Sequence, residues 1–182
     1  MSSQWFKRAA VAALLSSVCA VSFGHVVLQD PAAAAGSSYR ATFRVGHGCD
    51  GSSTNAITVT IPAGFNGAQP MPKPGWSLYT RVGTLEQAYE SHGTRYTEGV
   101  LEIRWQANGS ENALPAAFYD EFVVRGTPSR PGPLWFKVVQ GCEKGSNDWV
   151  EVPASGSSTK GLKSPAALLE VMDIQAVGAH NH

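Results

Sequence analysis

Short runs in which apolar and polar residues alternate recur along this chain, and each is closed by a cluster of turn-forming residues. Thr58-Val59-Thr60-Ile61 and Leu101-Glu102-Ile103-Arg104-Trp105 are the clearest examples. A period of two gives a strand one dry face and one wet face, and no helix can bury such a pattern on one side. Strands are expected at 25–29, 39–45, 56–61, 76–81, 100–105, 118–125, 134–139 and 148–152. Between them lie Ala35-Gly36-Ser37-Ser38, Asp50-Gly51-Ser52-Ser53, Pro62-Ala63-Gly64 and Gly126-Thr127-Pro128, all favourable for turns. Many short strands punctuated in this way imply an all-β fold, a single β-sandwich of the immunoglobulin or fibronectin III kind with long loops.

Two stretches are harder to read. Gln69-Pro70-Met71-Pro72-Lys73-Pro74-Gly75 contains three prolines and so lacks three ladder donors, which excludes a central strand and leaves an extended rim segment leading into Trp76. Near the end, Ser164-Pro165 resembles a capped helix start, yet the residues from Ala166 to Asp173 also fit a final strand. The all-β context favours the strand.

The first 24 residues read as a secretory signal. Lys7 and Arg8 form a basic start, an apolar stretch runs from Ala9 to Val21, and Ser22-Phe23-Gly24 places small residues where a signal peptidase inspects them. The apolar run falls short of the roughly 20 residues that span a bilayer, and no second run of that length follows. The organisation expected is therefore a signal peptide at 1–24, a sandwich domain at 25–177 and a flexible tail at 178–182. The product is periplasmic or secreted, with no membrane span after processing.

Charge narrows the function further. The chain has 14 Lys+Arg against 14 Asp+Glu, and loss of Lys7 and Arg8 with the signal leaves it slightly acidic. No basic run offers nucleic acid an electrostatic grip. No Ser-His-Asp order, phosphate-cradling glycine loop or paired acid motif stands out. Export also changes the meaning of the cysteines, because only Cys49 and Cys142 remain after processing. An even count in an oxidising compartment implies a disulfide between them. A pair of thiolate ligands for a soft metal is the rival reading, and the only supporting spacing is His47 two residues before Cys49.

Cleavage after Gly24 would make His25 the first residue. A free α-amine has a pKa of about 7.7 to 8.0, so a metal can displace its proton near neutrality. Amine nitrogen and imidazole Nδ1 of one terminal histidine close a chelate ring, and such nitrogen donors suit Cu(II). His47 and His92 sit in loop-like sequence, where solvated side chains are expected; His180 and His182 lie in the tail. Asp120-Glu121 stands out as a pair of carboxylates in an apolar strand, where burial is costly unless each is paired or metal-bound. Alternation puts Phe118, Asp120, Phe122 and Val124 on one face, and leaves open which carboxylate serves a site.

The ordered pieces His25-Val26-Val27, His47-Gly48-Cys49-Asp50-Gly51, Lys73-Pro74-Gly75-Trp76, Ile103-Arg104-Trp105, Tyr119-Asp120-Glu121-Phe122 and Gln140-Gly141-Cys142 before Trp149 resemble the YcnI-like family of bacterial exported copper-binding proteins. The resemblance covers nearly the whole chain after residue 24. It implies a β-sandwich with a single-histidine brace, in which the amine and Nδ1 of His25 bind Cu(II) and Glu121 completes the coordination. Trp149 would stand beside the metal and shield it, with an attraction for Cu(I) related to the cation–π effect. It also implies that Cys49 and Cys142 meet, as a staple that many members lack. The function implied is a metallochaperone in copper homeostasis or trafficking, not an enzyme, with other exported copper-handling proteins as partners. Two alternatives remain: a copper-dependent oxidase similar to lytic polysaccharide monooxygenases, which needs a second histidine from His47 or His92, and a metal-free structural or adhesive sandwich.

Overall fold

The computed structural model describes residues 24–173. The expected signal segment, apart from Gly24, and the tail with His180 and His182 lie outside the described residues. Among the described residues, eleven strands form two sheets. β1 (Val27–Leu28), β3 (Tyr39–Val45), β8 (Asp120–Pro128) and β5 (Phe65–Pro70) make one sheet in the order β1-β3-β8-β5. The second sheet runs β2-β11-β9-β4-β7-β6, built from β2 (Ala32–Ala34), β11 (Ala167–Met172), β9 (Gly132–Cys142), β4 (Thr54–Thr60), β7 (Thr94–Ala107) and β6 (Trp76–Ser91), with β10 (Ser146–Trp149) paired to β9. The fold is all-β, two sheets packed as a sandwich. Among the described residues no helix is long and apolar enough to cross a membrane.

The core is where alternation places it. Tyr39, Ala41, Phe43 and Val45 of β3 face Phe122 and Val124 of β8, and across the sandwich they meet Ile57, Val59, Ile103, Trp105, Phe136, Val138 and Leu169. Phe136 stands edge-on to both Phe43 and Phe65, with centroids 5.3 and 5.0 Å apart. Trp105 and Trp76 clamp Phe122 in the same way at 5.6 and 5.2 Å, an arrangement the ring quadrupoles favour. Trp105 is fully buried, and its Nε1–H donates to the Met71 carbonyl at 3.0 Å, so the proline-rich segment serves as its acceptor.

The differences from the sequence expectation have physical causes. Residues 76–81 and 100–105 are only the inner halves of a long hairpin. The outer halves of β6 and β7 are mostly solvated, so no apolar stripe marks them. Its tip is a two-residue turn in which His92 and Gly93 both have positive φ, 47° and 77°, the primed geometry that matches strand twist. β8 begins at Asp120 rather than 118, and Phe118 and Tyr119 are exposed. β5 is an edge strand ending at Pro70, consistent with the exclusion of a central strand. The final segment is a strand, β11, and β2 pairs with it in parallel. The chain thus crosses from the first sheet to the second between Leu28 and Ala32, so that the segment after His25 is pinned by both.

Candidate functional site

The site is built at one end of the sandwich, where β1 starts, β3 and β9 finish and β8 begins. Val26 is buried in the core, which holds His25 half-exposed just beyond it. The His25 ring stands edge-on against Trp149, with centroids 5.2 Å apart and planes at 89°. Trp149 is buried because β10 folds back on β9, with Trp149 opposite Val138.

Beneath this pair is a buried polar hub that sequence reasoning missed. Gln140 is 1% exposed, and its amide faces the interior with Phe136, Val138 and Cys142. Its Nε2 donates to the His47 carbonyl at 2.7 Å and to Thr54 Oγ1 at 2.8 Å, while its Oε1 accepts from Trp149 Nε1 at 3.2 Å. One side chain therefore ties the His47 loop, β4 and Trp149 together. The inward register of Phe136, Val138 and Cys142 was the available signal, since it forces the intervening Gln140 inward as well.

Cys49 and Cys142 form a disulfide with Cα atoms 6.0 Å apart, within the usual span. This closes the thiolate-ligand alternative and staples the His47 loop to the end of β9. His47 is not the solvated loop side chain expected. Its Nδ1 lies 2.6 Å from the Gly48 carbonyl, and its Nε2 accepts the Gly24 N–H at 2.7 Å. His92 is exposed at the hairpin tip, beside a cleft that includes Tyr96 and Arg125, towards the opposite end of β8 from Glu121.

The carboxylates divide as alternation foresaw. Glu121 belongs to a cross-strand row with Arg44 and Val27 on the outer face of the first sheet. Two strand spacings put its backbone about 10 Å from that of Val27. Its Oε1 is 3.4 Å from Arg44 Nη2, an exposed and weak contact. Asp120 turns the other way. It takes a 2.7 Å ion pair from Lys73 Nζ, which also lies 5.0 Å above the Phe122 ring, and it accepts the Glu121 N–H at 2.8 Å. Asp120 is committed to structure, and Glu121 is the more available carboxylate. The structure brings His25 and Trp149 together and adds His47, and it leaves Glu121 paired with Arg44. Among the described residues no three His, Cys, Asp or Glu side chains converge into a metal cluster. The donors around Gly24 and His25 are imidazole nitrogens near a buried indole, a chemistry that would suit Cu(II) if an α-amine joined it.

The family described as a domain of unknown function, DUF1775, matches residues 25–171. A crystal structure of an uncharacterized protein from Nocardia farcinica, described as having an immunoglobulin-like fold, is similar with a TM-score of 0.60 and 25% identity, over 81% of this chain and 97% of that one. No curated protein matches the chain. With nearly all of its described sandwich inside the matched span, the chain belongs to the DUF1775 family and has its immunoglobulin-like fold.

Proposed function

We propose that this is an exported copper-binding protein of the YcnI-like kind, which carries Cu(II) as cargo at the N-terminus created by cleavage after Gly24. The observation that carries the reading is the His25 imidazole, half-exposed and set edge-on to the buried Trp149 at 5.2 Å. The match to the family begins at the same residue, which supports His25 as the start of the working domain. In the processed chain the His25 amine and Nδ1 hold copper, and Glu121 exchanges its weak Arg44 contact for a place in the coordination. Trp149 closes the inner side against water. Copper bound this way supplies a site that is open on its outer side, where an acceptor protein can approach.

The role is that of a metallochaperone in copper homeostasis or trafficking, in the periplasm or secreted, with other exported copper-handling proteins as partners and without catalysis. The test is a Cu(II) titration of processed protein beginning at His25 beside a variant that retains Gly24. The reading expects one tight site in the first and its loss in the second. Equal binding by both would overturn it and move copper to another group.

A further inference from the structure

The position of His47 has a use that the single-histidine arrangement leaves out. We propose that His47 Nε2 is a second imidazole ligand, so that the processed protein holds copper by two imidazoles and the terminal amine. This rests on the reading above, that the chain is cleaved after Gly24 and binds copper there.

The tautomer follows from the partners. A backbone N–H can only donate, so the 2.7 Å contact from Gly24 makes Nε2 the acceptor and gives it the lone pair. Nδ1 then carries the proton and donates to the Gly48 carbonyl at 2.6 Å. A ring whose other nitrogen donates its N–H to a backbone carbonyl is the usual arrangement of a metal-ligating histidine. The ring is also held from behind. Gln140 donates to the His47 carbonyl at 2.7 Å, Gly48 N–H donates to the Ala116 carbonyl at 3.4 Å, and the disulfide fixes Cys49.

Glycine at position 24 lets the ring approach the backbone closely. A Cβ at position 24 would fall 2.5 Å from His47 Cδ2 and 2.7 Å from Nε2, so the ring packs directly on that backbone. Cleavage after Gly24 removes the one donor that Nε2 has among the described residues. It leaves the lone pair aimed at the place the Gly24 nitrogen held, one residue from the new amine. Adjacent backbone nitrogens are at most about 3.7 Å apart, so the His25 nitrogen starts within about 6.4 Å of Nε2. Metal–nitrogen bonds of about 2.0–2.1 Å, the length for a comparable divalent ion, need donors no more than about 4.2 Å apart. Release of the chain end has to supply a shift of at most about 2 Å.

The test uses processed protein carrying His92→Gln, His180→Gln and His182→Gln, in which His25 and His47 are the only histidines. After one equivalent of Cu(II), electron spin-echo modulation counts the bound imidazoles through their remote nitrogens. Two imidazoles are expected, falling to one in His47→Gln with at least a tenfold rise in Kd. One imidazole with affinity unchanged by His47→Gln would overturn the proposal while leaving the terminal site standing. If His47→Gln does not fold, the count in its parent decides the matter alone. Copper binding that survives retention of Gly24 would instead remove the terminal reading, and this proposal with it.

Discussion

Replacing Gln140 by methionine keeps nearly the same volume and removes the amide. Gln140 is 1% exposed; its amide makes hydrogen bonds of 2.7, 2.8 and 3.2 Å to His47, Thr54 and Trp149, and its Oε1 accepts a longer one of 3.5 Å from Asn147. Each such bond contributes about 1 kcal/mol net, and a partner left buried and unpaired costs about 1–3 kcal/mol. Volume-matched apolar replacement gives little back against this, so Gln140→Met should destabilise by about 3 kcal/mol. For a domain of this size that lowers Tm by roughly 6–12 °C. Urea unfolding followed by tryptophan fluorescence gives the free energy, and a cycle with Trp149→Phe gives the coupling. Phenylalanine removes the indole donor, so the double variant should lose less than the sum of the single losses by at least about 0.5 kcal/mol. A Gln140→Met protein within about 0.5 kcal/mol of the parent, or strict additivity with Trp149→Phe, would refute the hub.

Reduction of the disulfide, or replacement of Cys49 and Cys142 by serine, should cost about 4–5 kcal/mol in the loop-entropy model for a 93-residue separation, read as a drop in urea midpoint. Tyr39 is buried with its hydroxyl on the Asp30 carbonyl at 2.5 Å, and burial first, then the Asp30 charge, pushes its pKa up to about 12. Its folded pKa lies above the unfolded value of 10.0, so its contribution is complete below pH 10 and is lost between pH 10 and about 12. Unfolding free energies across that range, compared with Tyr39→Phe, should show the extra loss only in the parent. Glu121→Gln should weaken Cu(II) binding at least tenfold while moving Tm by less than about 2 °C, since its Arg44 contact is exposed and weak; unchanged copper affinity would remove Glu121 from the coordination.

How much of this was legible in the sequence depended on whether local pattern or distant pairing decided an element. Tyr39–Val45 reads as a strand and is one, because its alternating residues face the core on one side. Ala32–Ala34 carries no strand signal and exists because β11 offers it a parallel partner. Phe65–Pro70 is an irregular edge strand whose pairing with β8 shifts register between Asn66 and Gln69, and such an irregularity leaves no alternation to read. The site divides in the same way. The division of Asp120 from Glu121 was legible as alternation, though not the partners Lys73 and Arg44, which come from distant segments. The apposition of His25 to Trp149 followed from family resemblance and not from spacing. The approach of His47 to residue 24 and the Gln140 hub join residues 23 and 93 positions apart. Nothing local specifies such contacts; they appear only when the sheets are assembled.

The most direct measurement is a crystal structure of processed protein, beginning at His25 and soaked with Cu(II), with anomalous data collected at the copper edge. The account predicts one anomalous peak within bonding distance of the His25 amine and Nδ1, on the solvent side of Trp149. A peak elsewhere, or density at His25 with no copper beside its amine, would contradict it.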